Sequence, residues 1–184
     1  MADRTPLPAT PPASSPLRLL AIDPALRNTG YAILEGSANT AKALTYGVLR
    51  NATSLSQTGC LLANFEGIRE LIESYKPTIC AVESIIYVQS LKTAITMGAA
   101  RASALIAAAQ AGLTIYEYPP RRVKQAVVGK GAADKQQVAF MTRVLLGLEE
   151  MPPHDAADAL AVGITHLQSL NPLRAAQKSP PAAF

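Results

Sequence analysis

Four carboxylates stand where an apolar chain would not be expected to leave a charge. The chain has five aspartates, and three of them, Asp23, Asp155 and Asp158, fall within apolar segments, as does Glu83. An unpaired carboxylate in such surroundings costs several kcal/mol unless it is neutralised, hydrogen-bonded or bound to a cation. Singly, each has a plain alternative. Asp23 suits a loop cap that accepts from nearby N–H groups. Asp155 and Asp158 would share a face in the first turn of a helix and balance its dipole, worth about 0.3–1 kcal/mol. Together they suggest a cluster that repels itself without cations. Hard oxygen donors of this kind suit Mg²⁺ or Mn²⁺. Two such ions about 3.5–4 Å apart can activate a water and stabilise the leaving oxygen in phosphodiester hydrolysis.

The elements that must position these groups follow from periodicity. Residues 19–34, LLAIDPALRNTGYAIL, read as two strands of a hairpin with a loop holding Pro24, Asn28 and Gly30. Residues 44–50 alternate as a third strand. Residues 61–75 place Leu61, Leu62, Phe65, Ile68, Leu71 and Ile72 on one helical face, with Glu66, Glu70 and Glu73 mostly on the solvated one, and Pro77 stops the helix. TICAVE, residues 78–83, is a buried strand ending on Glu83. A helix rich in small residues is expected over 89–111, and a fifth strand over 113–118, closed by Pro119 and Pro120. Glu117 reads as a surface residue near the end of that strand. Arg121, Arg122, Lys124, Lys130 and Lys135 form a basic run against the single acid Asp134, with a helix starting near Ala132 and running to Leu148. Taken alone, such a run suits a solvated surface. The last helix opens on His154-Asp155-Ala156-Ala157-Asp158 and is apolar nearly all round, which places Asp158 at the edge of the core.

Composition bounds the rest. With 184 residues and 49% apolar content, one domain with a real core is expected; the +4 charge leans mildly towards anionic partners. Cys60 and Cys80 form no metal pattern and read as reduced core residues of a cytoplasmic protein. No apolar run approaches a membrane span, so no membrane partner is expected. Residues 1–16, with five prolines, read as a disordered tail without a signal-peptide core; 17–169 form the domain and 170–184 a flexible tail.

The element order β-β-β-α-β-α-β-α-α, with carboxylates so placed, matches an α/β, RNase H-like fold: a five-stranded mixed sheet flanked by helices. From about residue 17 to 167 the chain resembles the RuvC family of Holliday-junction resolvases. The resemblance lies in AIDPALRNTGYAI, AVES, GAARASALIAAA, YEYPPRRVKQAVVGKGAADKQQV and HDAADALAVGITH, all in family order. By that resemblance Asp23, Glu83, Asp155 and Asp158 take the four metal-holding, catalytic positions. Lys124 and Lys135 fall on basic positions used around the active site and DNA, and Lys130, Arg121 and Arg122 join them as expected DNA contacts. Family members usually have Gly where this chain has Ala25 and Ala32. They often carry an aromatic wedge three places after the catalytic Glu; here that place is Ile86, with Tyr87 next. Some have His at the first acidic place of the last helix, where this chain has Asp155. His154, one residue earlier, reads either as an exposed residue or as one touching a metal-bound water.

The resemblance implies an endonuclease that cuts four-way DNA junctions by paired symmetric nicks, with two Mg²⁺ per subunit and Mn²⁺ as a substitute. It further implies a homodimer, assigned to the small-residue helix, a RuvA–RuvB branch-migration partner and a bacterial cytoplasmic setting. Three rivals are an RNase H-like nuclease with another substrate, an actin-like or sugar-kinase nucleotide binder, and a junction-binding protein without activity.

Overall fold

The computed structural model describes residues 17–85, 90–171 and 182–183. In chain order the elements are β1 (Leu17–Asp23), β2 (Asn28–Gly36), β3 (Ala41–Arg50), α1 (Gln57–Tyr75), β4 (Ile79–Glu83), α2 (Leu91–Gln110), β5 (Thr114–Tyr118), α3 (Pro120–Val128), α4 (Lys135–Leu146), α5 (His154–Ser169) and β6 (Ala182–Ala183). The sheet order is β3-β2-β1-β4-β5-β6. The first three strands form an antiparallel meander, and β4 and β5 add in parallel to β1. This is the expected five-stranded mixed sheet. A sixth, two-residue strand pairs antiparallel with β5 in a segment read from sequence as tail.

Strand alternation divides the core between the two faces of the sheet. Leu19, Ala21, Ala32, Leu34 and Ala81 point to one face, where α3, α4 and α5 cover them. Leu20, Ile22, Ile33, Cys80 and Val82 point to the other, under α1 and α2. Helix α5 is buried from Ala156 to Leu167 apart from Asp158, as its all-round apolar sequence predicts. Cys60 and Cys80 are both buried and unpaired, and burial pushes the Cys80 thiol up to about 12. No helix among the described residues is long and apolar enough to cross a membrane.

Three expectations are corrected. The double proline closes β5 but also opens a helix, α3, which the basic run conceals. Pro120 stands in its first turn, where a missing N–H costs nothing, and Gly129 ends it in the left-handed conformation. Helix α4 begins at Lys135 rather than near Ala132, because Asp134 and Gln137 form a reciprocal capping box. Leu62 is 56% exposed; the buried face of α1 runs through Cys60, Asn64, Ile68 and Ile72.

Candidate active site

Asp23 and Glu83 are the last residues of β1 and β4, two adjacent parallel strands. Their ladder ends at the pair Ile22 and Val82, so the next residues of the two strands are Asp23 and Glu83. Each lies two residues beyond a member of the α5-facing core, Ala21 or Ala81, so alternation turns both side chains towards α5. That helix begins at His154 and presents Asp155 and Asp158, both half-buried, from its first turns.

A glycine sets the spacing. Gly30 is the register partner of Asp23 across the hairpin, and a Cβ at Gly30 would fall on the carbonyl oxygen of Asp155. The hairpin that carries Asp23 thus touches the main chain that carries the acidic pair. The loop after Asp23 is held by other groups. The buried Thr29 hydroxyl donates to the Ala25 carbonyl at 2.7 Å, and buried Asn64 donates to the same oxygen at 2.9 Å. Asn51 donates to the Leu26 carbonyl at 2.8 Å. Among the described residues the bonds holding this loop come from Thr29, Asn51 and Asn64 and from Arg27, which donates to the Ala52 and Leu55 carbonyls, not from Asp23. Ala32 has its extra methyl in the core, 0% exposed.

The electrostatics bind the four carboxylates into one system. Burial raises Asp23 to about 6, with Asp158 and Asp155 pushing the same way and Lys135 opposing. Burial raises Glu83 to about 7, followed by repulsion from Asp23 and Asp158, with Lys124 and Lys135 opposing. Asp158 is raised chiefly by burial, against the pull of Lys135, whose Nζ lies 3.3 Å from Asp158 Oδ2. His154 is exposed, and its charge acts weakly on Asp158. Among the described residues, no group of three or more His, Cys, Asp and Glu is drawn together as a ready metal cluster. Bare carboxylates that repel one another are expected to stand apart. The donor set still fits a hard divalent cation: all oxygen, partly desolvated, and with protonation made easier by the missing counter-charge.

The basic residues fall into distinct places. Lys135 and Lys124 act electrostatically on the carboxylates. Arg121 helps to wall a cavity of about 420 Å³ beside Asp23 and Glu83, together with Ser84, Met97 and Pro120. Arg122 instead lies over the Tyr118 ring, 5.4 Å from its centroid. Lys130 is exposed between α3 and α4. Ile86 and Tyr87 lie outside the described residues. Glu117 is not the surface residue expected: its carboxylate is 2.7 Å from Arg101 Nη2, and Arg101 is only 8% exposed. The signal for that pair was a lone Arg deep in an Ala-rich helix and a lone Glu in an apolar strand.

A mixed sheet of this order, with helices on both faces and carboxylates at the ends of its two central parallel strands, defines an α/β protein of the RNase H-like fold. The family described as crossover junction endodeoxyribonuclease RuvC matches residues 19–166. A RuvC of Akkermansia muciniphila is 60% identical over 159 residues, covering 86% of this chain and 95% of that protein. One from Heliobacterium modesticaldum is 48% identical, covering 83% and 94%. Thermus thermophilus RuvC, solved in complex with a Holliday junction substrate, superposes with a TM-score of 0.77 at 27% identity, over 91% of this chain and 99% of that one. The chain belongs to the RuvC family of crossover junction endodeoxyribonucleases, metal-dependent hydrolases of phosphodiester bonds.

Proposed function

We propose that this protein resolves Holliday junctions in recombination and repair by paired symmetric nicks, using two Mg²⁺ ions held by Asp23, Glu83, Asp155 and Asp158. The observation that carries this reading is the side-by-side placement of Asp23 and Glu83 at the ends of β1 and β4, beneath the acidic first turns of α5. When bound, the ions supply Lewis-acid stabilisation of charge on the phosphate and an activated water. The chain's own groups do the rest. The carboxylates provide anionic oxygen ligands once deprotonated, and the tight hairpin–helix contact at Gly30 fixes their separation. Lys124 and Lys135 offset phosphate charge near the reacting strand, while Arg121, at the cavity wall, steers that strand.

The two-fold symmetry of a four-way junction supports a homodimer. An exposed stripe on α2 supplies a surface for it: Leu91, Ile95 and Ile106 are 77%, 61% and 58% exposed, with Ala99 and Ala102 on the same side. Family membership supports a bacterial cytoplasmic setting and a RuvA–RuvB partner.

A synthetic mobile junction tests the reading. With Mg²⁺ or Mn²⁺ the expected products are paired nicks at symmetric positions. Ca²⁺ should support binding without cutting, because its looser coordination spoils the required geometry. Full-rate cleavage in excess chelator, or equal cleavage of plain duplex and RNA–DNA hybrid, would sink it.

A further inference from the structure

Helix α2 packs on the face of the sheet opposite the carboxylates, yet besides Met97 at the cavity wall a second of its side chains, Arg101, reaches the end of β4. Arg101 donates from Nη1 to the main-chain carbonyl of Glu83 at 2.6 Å and from Nη2 to the Glu117 carboxylate at 2.7 Å. On the next residue, the N–H of Ser84 donates to the Tyr118 carbonyl at 2.9 Å. The peptide group that follows Glu83 is therefore held at both polar atoms. This is where β4 ends and where its ladder with β1 has already stopped, at Val82. An unheld strand end frays, and its side chain then samples several directions.

We propose that Arg101, oriented by Glu117, is the positioning residue for Glu83. It acts by clamping the peptide plane rather than by touching the carboxylate. Two features argue that the pair does more than support the fold. A buried ion pair is a poor stabiliser, since removing two charges from water offsets most of their attraction. The guanidinium also puts one arm on Glu117 and another on the Glu83 carbonyl, whose peptide plane sets the direction of the Glu83 side chain. Groups that orient a metal ligand in this way typically contribute about 10- to 100-fold in metal affinity or activity. The inference rests on the junction-nuclease reading above.

The test separates positioning from stability. In Arg101→Met/Glu117→Met, the charges leave together and apolar side chains of similar length fill the space. Melting temperature should stay near wild type, and so should junction binding in Ca²⁺. Mn²⁺ affinity of the free protein, read by titration calorimetry, and single-turnover cleavage should each fall by about 10- to 100-fold. Wild-type Mn²⁺ affinity and cleavage in the folded double variant would overturn the proposal. Should the Met pair not fold, Arg101→Lys keeps the charge beside Glu117 but lacks the fork, and the same losses are expected. Wild-type metal affinity in the Lys variant would overturn the proposal equally. Glu117→Gln leaves the arm on Glu83 in place and should lose less; a loss as large as in Arg101→Lys would assign the role to the ion pair and refute the clamp. Failure of the wild type itself to bind Mn²⁺ would instead refute the parent reading.

Discussion

Lys135 and Asp158, 23 positions apart in sequence, meet at 3.3 Å where α4 begins beside the first turns of α5. The lysine is 67% exposed and the aspartate 23%, so this is a cation leaning over the carboxylates rather than a buried tie. It opposes the upward push on Asp23, Glu83 and Asp158 alike.

So exposed a pair contributes under ~1 kcal/mol to folding, and Lys135→Ala should barely change stability. Its expected effect lies on DNA. Lys135→Ala and Lys124→Ala should each weaken junction binding or turnover, and each lost phosphate contact should reduce the salt slope by roughly one unit. If both variants bind and cleave like wild type at every salt concentration, the basic run is a solvated surface and nothing more.

The raised carboxylates make a signed statement about pH. Asp23 moves from 3.8 to about 6, so between these values the folded protein holds a proton that the unfolded chain has released. Stability from this group is therefore full at low pH and lost as pH rises through about 6. Glu83 behaves likewise up to about 7. Asp23→Asn has no such penalty. In chelator, its melting temperature should match wild type near pH 4, exceed it by a margin that grows up to about pH 7 and stays level above that, while junction cleavage is abolished and junction binding persists. Added Mg²⁺ should stabilise wild type more than the variant, because the ion binds the native state. A variant melting below wild type at pH 8 with near-normal cleavage would restore the loop-cap role for Asp23.

Gly30→Ala should show how closely the hairpin and α5 are fitted. The added methyl collides with main chain, which cannot swing aside, so the elements must part. We expect a loss of about 1–3 kcal/mol and a larger loss of cleavage than of junction binding. Gly98→Ala, whose Cβ would meet nothing of this chain within 4 Å, is the control for stability and should gain about 0.5–1 kcal/mol from helix propensity. Equal melting temperatures for the two variants would contradict the contact.

The α2 stripe should respond to charge. Ala102→Glu places a carboxylate among Leu91, Ile95 and Ile106 and should yield a folded monomer that no longer makes paired nicks. Light scattering that finds an unchanged dimer would move the interface elsewhere.

Much of this architecture was legible from periodicity. A two-residue alternation marked β1 and β4 and left a carboxylate at the end of each. A helix apolar all round had to be α5, and its acidic start had to lie at the edge of the core. What escaped depended on partners distant in sequence. Glu117 resembled a surface residue because nothing local announces Arg101, and Leu62 fits the apolar period of α1 while facing outward. Helix α3 was hidden because a proline pair signals a stop until the second proline proves to be in the first turn. Asp23 as a loop cap was a fair reading until Thr29 and Asn64 were seen to hold the loop.

Helix α5 also has a consequence for the order in which the protein is made. It is the last helix among the described residues, and it brings Asp155 and Asp158 together with eleven buried residues. A ribosome that has not yet released it has produced Asp23 and Glu83 without their counterparts, on a sheet whose α5 face is still bare. The α5-facing core and the proposed metal site are completed by the same docking step. A chain made only as far as α4 therefore lacks both the helix that closes this core and two of the four proposed metal ligands.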